Sequence, residues 1–408
     1  MSHTIESVAH GTVTTPKGFK AAGVAAGIKG GEKLDLGILV SQVRCTAAGV
    51  FTTNAVKGAS LLTTKEHLAD GYAQAVIVNS GNANACTGER GLLDAKEMAR
   101  ALSRQLNIPV QDVLPSSTGV IGVYLPLPQI RDGVEKAVPR LREDGGEEMA
   151  RAMMTTDTKP KYAARRVIAE NQTFCLGGVA KGAGMIHPNM ATMLVFLTTD
   201  ARVDRQSLQT FLSEEIGASF NRFTIDGDTS CDDTVLLLAN GLAGGRDIAC
   251  DDSPLANAFR EALHSLCLDL TMQLARDGEG VTKTAIVCVK GACTRADAVK
   301  IARSIAVSPL VKTAIHGQDP NWGRIINAAG YSGADFDPDC VDLWIGDVQV
   351  MERGERGRYE EEAAAQVMRG DGYEIILDLR QGTESDFYIT TDFSNAYIDI
   401  NADYRHRT

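Results

Sequence analysis

The stretch that most constrains the fold of this chain is a glycine- and proline-bearing segment that runs directly into a short apolar segment. Residues 181–197 read KGAGMIHPNMATMLVFL, and the glycines and Pro188 favour irregular backbone in the first half. The run from Met193 to Leu197 is apolar and of strand length. Thr192 therefore stands where a tight loop meets a buried strand, which would hold its hydroxyl rigidly and leave it reachable. On local composition alone, an ordinary turn with a core threonine is the more common interpretation of such a stretch.

The overall composition is typical of a soluble globular protein and argues against nucleic-acid or membrane roles. The 408 residues are 44% hydrophobic and 23% charged, which fits about two to three domains or one large lobed domain. The net charge is −11, and no stripe of basic residues occurs. No apolar run approaches membrane-spanning length, and residues 1–20 do not resemble a signal peptide. We therefore expect a cytoplasmic protein.

The cysteines predict neither a disulfide framework nor a metal site. Nine cysteines are scattered along the chain, and no CxxC pair occurs among them. An odd number of unpaired cysteines is typical of reduced thiols in a cytosolic protein. The seven histidines are also isolated from one another, so we expect no metal.

Two upstream segments carry turn-forming residues that suggest function. Residues 75–79 (AVIVN) predict a buried strand, and residues 80–88 predict a polar loop with amide side chains. Their spacing matches neither of the common phosphate-binding glycine motifs, which argues against nucleotide binding. Residues 115–122 (PSSTGVIG) predict a second loop, whose consecutive backbone N–H groups could form an oxyanion hole. A plain turn is the alternative for this segment.

Four carboxylates cluster between residues 226 and 233 (DGDTSCDD). The segment begins like a calcium loop, but Cys231 stands where glycine is required and Leu237 where glutamate is required. We interpret it as a hydrogen-bonded turn ahead of a strand. Helical and strand patterns alternate along the remaining chain, and residues from 341 onward alternate like antiparallel strands, so we predict the α/β class.

Eight segments, taken together and in order, resemble the ornithine acetyltransferase family of arginine biosynthesis. The segments are AVIVNSGNANACTG, SSTGVIG, MTTDT, KGAGMIHPNMATML, NRFTIDGDTS, DGEG, HGQDPNWGRI and INADYR. The resemblance implies an α/β fold of stacked β-sheets flanked by helices, which processes itself like an N-terminal-nucleophile enzyme. The implied activity transfers the acetyl group of N-acetylornithine to glutamate. Whether acetyl-CoA also serves as a donor is left open.

The resemblance further implies that the precursor cuts its own chain between Ala191 and Thr192. The products are an α piece, residues 1–191, and a β piece, residues 192–408, which stay associated as a heterotetramer with two copies of each. Thr192 then acts as the nucleophile, and its freed α-amine acts as the base, since such an amine titrates at about 7.7–8.0. The family implies no metal and no resident cofactor.

Other site residues follow from the resemblance position by position. It implies an oxyanion hole at Thr118 and Gly119, and substrate contacts at Thr155, Lys181, Thr192, Glu279 and Asn401. We interpret Lys181 as the partner of the substrate α-carboxylate and Glu279 as the partner of the ornithine ammonium. The family's terminal substrate-binding threonine corresponds to either His406 or Thr408, and we favour Thr408 because it keeps the residue type.

Two alternative functions stay open from the sequence. A self-processing aminopeptidase or amidase would share the nucleophile logic, but it would release free acetate. A non-catalytic scaffold would keep the fold around a degenerate site, although the intact Thr192, Lys181 and Gly119 argue against this reading.

Overall fold

The computed structural model describes residues 3–187 and 193–403 of the chain. Ala191, Thr192, His406 and Thr408 lie outside these residues. The strands of the described part are β1 (Thr4–Ser7), β2 (Phe19–Val24), β3 (Leu36–Phe51), β4 (Tyr72–Asn82), β5 (Val113–Val120), β6 (Lys161–Ala169), β7 (Gln172–Lys181), β8 (Leu194–Thr199), β9 (Thr234–Ala239), β10 (Thr284–Ala292), β11 (Asp342–Ile345), β12 (Val348–Glu352), β13 (Glu355–Arg356), β14 (Gly372–Asp378) and β15 (Glu384–Thr391). The helices there are α1 (Ala59–His67), α2 (Gly88–Leu106), α3 (Leu127–Ala137), α4 (Gly146–Met153), α5 (Arg205–Ala218), α6 (Pro254–Arg276), α7 (Arg295–Val307), α8 (Pro309–Gly317), α9 (Trp322–Gly330), α10 (Glu361–Met368) and α11 (Asn395–Ala402).

The first sheet contains nine of the described strands and carries the segment that the sequence singled out. Its order is β1-β6-β7-β8-β9-β3-β4-β5, with β2 paired to β3. Most neighbours are antiparallel, but β8 runs parallel to β9 and β4 runs parallel to β5. The last residue of β7, Lys181, pairs with the first residue of β8, Leu194. Residues 182–193 therefore connect two adjacent antiparallel strands.

Strand β8 explains the continuous apolar run in the sequence because it is covered on both faces. Leu194 and Phe196 pack into a hydrophobic cluster with residues of α4, including Met153. Val195 and Leu197 pack into the opposite cluster with residues of α5 and α6. A strand buried on both faces needs apolar side chains at every position rather than at alternate positions.

The second sheet contains six described strands, in the order β13-β12-β11-β14-β10-β15. Its core joins Val287 and Val289 of β10 to Ile301 and Ile305 of α7. The described pairings among the strands after residue 341 are antiparallel, as the sequence predicted. Strand β10, which precedes them in the chain, runs antiparallel to β15 but parallel to β14. Ile389 of β15 packs into the same hydrophobic cluster as α5 and α6, which links the two sheets. The prediction of an α/β fold with β-sheets flanked by helices is confirmed.

Two segments differ from their sequence-based assignments. Residues 113–120 form β5 rather than a loop, and Pro115 is tolerated because β5 is the edge strand of its sheet. The segment around residue 396 forms helix α11 rather than a continuation of the last strand. Ser394 caps this helix by accepting a hydrogen bond from the Tyr397 N–H, and such a cap starts a helix despite alternating polarity. Within the described residues, no helix is long and apolar enough to cross a membrane.

Candidate active site

A cavity of about 240 Å³ gathers the site residues that the sequence predicted within the described chain. These residues come from five separate parts of the sequence, and each of them lines this cavity: Thr118, Gly119, Thr155, Lys181, Glu279 and Asn401. Larger grooves exist elsewhere in the described chain, but none of them gathers these residues. The structure therefore brings the six residues together, and their individual roles stay predictions.

Lys181 lies at the end of β7 and is only 2% exposed. Its Nζ donates hydrogen bonds to Thr155 Oγ1 at 2.8 Å and to Thr118 Oγ1 at 3.3 Å. Burial lowers the pKa of Lys181, and the Asp157 carboxylate opposes this shift. An ammonium with two hydroxyl partners at a cavity wall can offer its remaining N–H to an anionic substrate group.

A buried network of charges fixes the position of Lys181. Asp157 Oδ1 accepts hydrogen bonds from the Gly182 N–H at 2.8 Å and from Lys161 Nζ at 2.6 Å. Its other oxygen accepts the Thr155 N–H at 3.0 Å, and Lys161 Nζ also reaches Asp277 at 2.6 Å. Burial works to raise the pKa of Asp157, but the two neighbouring lysines outweigh it, so the pKa is lowered. The carboxylate thus stays ionised and ties the Thr155 backbone to the end of β7.

Thr118 and Gly119 lie near the end of β5, where the strand runs parallel to β4. The backbone of Gly119 has φ of 133°, a region that favours glycine, and a Cβ atom there would lie 2.3 Å from the Gly81 carbonyl carbon. Two residues before Gly119, Ser117 Oγ donates to Asn79 Oδ1 at 2.7 Å and is hydrogen-bonded to Ser60 Oγ at 2.7 Å. Glycine is therefore required by the close approach of two backbones, and a buried polar network holds this approach in place.

Glu279 and Asn401 meet on another wall of the cavity. The Asn401 Nδ2 group donates to Glu279 Oε2 at 2.8 Å, and the Glu279 backbone N–H donates to Ala183 O at 2.7 Å. Glu279 is buried, and Gly184 packs so tightly against its carboxylate that a Cβ there would lie 2.2 Å from Oε2. Helix α11 thereby brings the C-terminal region of the chain onto the segment that follows β7.

Asp226 holds the backbone of the segment that leads from β7 towards β8. Its oxygens accept the N–H groups of Met185 at 2.5 Å and Ile186 at 2.7 Å. Burial raises the pKa of Asp226 to about 6, and these backbone hydrogen bonds limit the rise. The interpretation of residues 226–233 as a hydrogen-bonded turn therefore agrees with the structure at this position.

Three carboxylates near the cavity were not predicted as site residues, namely Asp157, Asp226 and Asp232. Asp157 belongs to the quoted MTTDT segment, and the other two belong to the acidic turn, so their types were visible in the sequence. What the sequence does not reveal is that Asp157 and Asp232 are buried and that Asp226 is half-buried. Ionisable groups in such surroundings are candidates for function rather than for solvation.

Known proteins are similar to this chain over nearly its whole length. The family model for the ArgJ family matches residues 20–406. The arginine biosynthesis bifunctional protein ArgJ of Symbiobacterium thermophilum is 49% identical over 397 residues, covering 97% of this chain and 98% of that protein. The protein of the same name from Thermotoga neapolitana is 47% identical over 396 residues, covering 96% and 99%. A solved structure, ornithine acetyltransferase complexed with ornithine from Mycobacterium tuberculosis, shares 38% identity with a TM-score of 0.43, covering 47% of this chain and 100% of that one.

The family match spans nearly the whole chain, and the relatives are similar over nearly their full lengths. The resemblance identified from the sequence motifs is thereby confirmed. The chain belongs to the ArgJ family of arginine-biosynthesis acetyltransferases.

Proposed function

We propose that this chain transfers the acetyl group of N-acetylornithine to glutamate through an ester on Thr192. The observation that carries the proposal is the cavity that gathers six predicted site residues next to the start of β8. Thr192 precedes Leu194 by two residues, so their Cα atoms are at most about 7 Å apart. Leu194 pairs with Lys181, which lines the cavity, and this pairing supports the assignment of Thr192 as the nucleophile.

The first step is self-cleavage between Ala191 and Thr192. The Thr192 hydroxyl attacks the Ala191 carbonyl carbon, the C–N bond breaks, and the nitrogen takes a proton to become an amine. Water then hydrolyses the resulting ester, which leaves a carboxylate on Ala191 and restores the hydroxyl. The pieces are residues 1–191 and residues 192–408, and pairing between β7 and β8 holds them together. Sequencing of the β piece should begin TMLVFL, and native mass measurement should find two copies of each piece.

Acetyl transfer follows on the processed enzyme. The Thr192 amine takes the proton of the hydroxyl, whose oxygen attacks the acetyl carbon of N-acetylornithine. The C–N bond of the substrate breaks, ornithine leaves with the proton, and an acetyl ester remains on Thr192. The neutral amine of glutamate attacks this ester, forms N-acetylglutamate, and returns a proton to the threonine oxygen.

Both steps pass through a tetrahedral oxyanion, which we assign to Thr118 and Gly119. Preorganised donors at such an oxyanion are worth about 2.7–4 kcal/mol each. The support for this assignment is the rigid backbone at Gly119, which packs against Gly81, and the position of both residues on the cavity wall. Gly119→Ala should therefore slow self-cleavage and transfer together, by about a hundredfold or more, because the added Cβ displaces this backbone.

The charged walls of the cavity fit the two ends of the substrates. We assign Lys181 to the α-carboxylate that N-acetylornithine and glutamate share, with Thr155 beside it. We assign Glu279, oriented by Asn401, to the ornithine ammonium. Thr408 lies outside the described residues and is assigned to the substrate from the family pattern.

Acetyl-CoA is a second acetyl donor in this proposal. A neighbouring cavity of about 300 Å³ is lined by Lys29, Lys33 and Arg151, and Thr155 borders both cavities. Three basic side chains beside the acetyl site suit the phosphate groups of such a donor. The measurement is formation of N-acetylglutamate from acetyl-CoA and glutamate by the purified enzyme, and its absence would remove this donor from the proposal.

The decisive experiment for the main proposal is mass spectrometry of the β piece after brief exposure to N-acetylornithine without glutamate. One added acetyl group should appear on Thr192, and it should disappear when glutamate is added. Thr192→Ser should keep processing and transfer at lower rates, whereas Thr192→Ala should abolish both. Release of free acetate in place of N-acetylglutamate would favour the aminopeptidase or amidase alternative, and an uncut, unacetylated chain would favour the scaffold.

A further inference from the structure

The proposed exchange, on which this inference rests, makes an unusual demand on one site. N-acetylornithine and glutamate share an α-carboxylate, and their acetylated nitrogen occupies the same place beside the nucleophile. Their side chains differ in sign, because ornithine ends in an ammonium and glutamate ends in a carboxylate. The wall that receives the side chain must therefore accommodate a cation in one half-reaction and an anion in the other.

Asp232 is a carboxyl group that lines this cavity and has no assigned role. It follows the Ser230–Cys231 pair in the acidic turn and is only 6% exposed. Its Oδ2 faces the Cys231 thiol at 3.4 Å, which is a weak interaction. Its Oδ1 is buried and has no hydrogen-bond partner among the residues that the structure describes. A buried oxygen without a partner costs free energy unless a ligand or a proton satisfies it.

The charges around Asp232 come from several elements. Lys181 at the end of β7 favours the ionised carboxylate, and Asp233, the next residue in the chain, is a second buried carboxyl group. Asp233 Oδ1 accepts the Met193 N–H at 3.0 Å, so it is engaged by the backbone at the start of β8. Glu279 lines the same cavity and is already hydrogen-bonded to Asn401. Two described carboxyl groups line the cavity, Glu279 and Asp232. Asn401 orients Glu279 through a hydrogen bond, whereas no described side chain orients Asp232 through a strong one.

We propose that Asp232 is a specificity-determining residue that changes its protonation state with the side chain that is bound. As a carboxylate it joins Glu279 in accepting hydrogen bonds from the ornithine ammonium, and as a carboxylic acid it donates one to the glutamate carboxylate. The proton comes from solvent when glutamate enters and returns to solvent when ornithine enters. A fixed carboxylate at this position would favour ornithine and repel glutamate, whereas a fixed neutral group would do the reverse.

The local electrostatics support this assignment. Burial raises the pKa of Asp232 to about 7, while the Cys231 thiol and Lys181 limit the rise. Both protonation states are then accessible near neutral pH, at little cost in free energy. Burial also raises the pKa of Asp233 well above its usual range, but Asp233 does not compete for this role because its Oδ1 already accepts the Met193 N–H.

The test is a competition for the acetyl-enzyme. Processed enzyme is acetylated with N-acetylornithine and then offered equal concentrations of glutamate and isotopically labelled ornithine, from about pH 6 to about pH 8. Both acceptors meet the same acetyl-Thr192, so titration of the nucleophile cancels from the product ratio. The ratio of acetylornithine to acetylglutamate should rise by about tenfold or more across this range, because the carboxylate form of Asp232 becomes dominant.

Two variants identify the titrating group. Asp232→Asn should give a ratio that favours glutamate and no longer depends on pH. Asp228→Asn removes an exposed carboxylate from the same turn and should keep the wild-type dependence. A pH-independent ratio in the wild-type enzyme, or an unchanged dependence in Asp232→Asn, overturns the proposal. If Asp232→Asn fails to process itself, the pH dependence of the product ratio in the wild-type enzyme decides whether the proposal holds. If the proposed acetyl exchange itself does not take place, neither acceptor receives an acetyl group from the wild-type enzyme. This result is distinguishable from a product ratio that does not depend on pH.

Discussion

Lys181 and Lys312 are both almost entirely buried, yet their ammonium groups meet different surroundings. Lys312 lies in α8, and its Nζ donates to Thr390 Oγ1 at 3.2 Å, to Thr391 Oγ1 at 3.1 Å and to the Thr391 carbonyl. It also lies 4.6 Å from the centre of the Phe393 ring. Lys181 reaches two threonine hydroxyls and otherwise faces a cavity.

The difference lies in the donor capacity that each lysine retains. A lysine ammonium has three N–H donors, and the protein itself accepts all three from Lys312. Lys312 therefore joins α8 to the end of β15 and has nothing left for a ligand. Burial of a lysine is thus a weak indication of function, whereas burial beside a cavity with a donor to spare is a strong one.

Replacing each lysine by methionine tests this comparison with the largest expected effect. Lys181→Met should lower kcat/KM for N-acetylornithine by roughly 10- to 150-fold, because a hydrogen bond between charged groups is worth about 1.5–3 kcal/mol. Lys312→Met, the matched control, should change kcat/KM by less than about threefold. The measurement is the steady-state kinetics of the two processed variants. Equal losses of kcat/KM in both would show that Lys181 and Lys312 do not differ in function.

The Asp157→Asn substitution sharpens the comparison by removing the carboxylate that supports Lys181. Burial lowers the pKa of Lys181, and without Asp157 it should fall further. The ammonium is then lost at lower pH, so the high-pH limb of the kcat/KM profile should move towards neutrality. Stability should also fall, by about 1.5–3 kcal/mol, because the buried Lys161 loses one of its two carboxylate partners and keeps Asp277. A profile that superimposes on the wild-type profile would mean that Asp157 does not influence the charge of Lys181.

The smallest effect concerns stability at the Lys312 site. Burial lowers the pKa of Lys312 from 10.5 to about 7. Between these values the unfolded chain binds a proton that the folded chain does not, so stability rises with pH across this window. Below about pH 7 the burial penalty is fully present. Relative to Lys312→Met, the wild-type Tm should therefore rise by about 2–4 °C between pH 7 and pH 10, as measured by thermal unfolding. A constant difference in Tm would indicate that Lys312 stays charged throughout.

The sequence predicted the members of the cavity only through their motifs. Thr118, Lys181, Glu279 and Asn401 are separated by up to hundreds of residues, and periodicity contains no information on which strands become neighbours. The motif resemblance supplied that information indirectly. It could not supply the contact between α11 and Glu279, because local polarity at residues 395–402 favoured a strand.

The parts that the sequence missed share a physical cause. Turn-forming residues in 115–122 were interpreted as a loop, although Ser117 and Thr118 are buried and hydrogen-bonded within an edge strand. Asp232 was interpreted as a turn residue because carboxylates are usually solvated, and Asp157 was noted only as part of the MTTDT motif. Tertiary contacts satisfy Ser117, Thr118 and Asp157 in the interior, whereas Asp232 is buried without a strong partner among the described residues. Composition reports neither situation.

The pairing of β7 with β8 has a consequence for the refolding of the processed protein that we propose. Before cleavage the two strands are joined by a short covalent connection, so their encounter during folding is intramolecular and costs little entropy. After cleavage the same contacts persist, but recovery from complete denaturation requires two separate polypeptides to find each other. The mature protein should therefore regain activity in a concentration-dependent manner, whereas an uncut Thr192→Ala precursor should recover its fold independently of concentration.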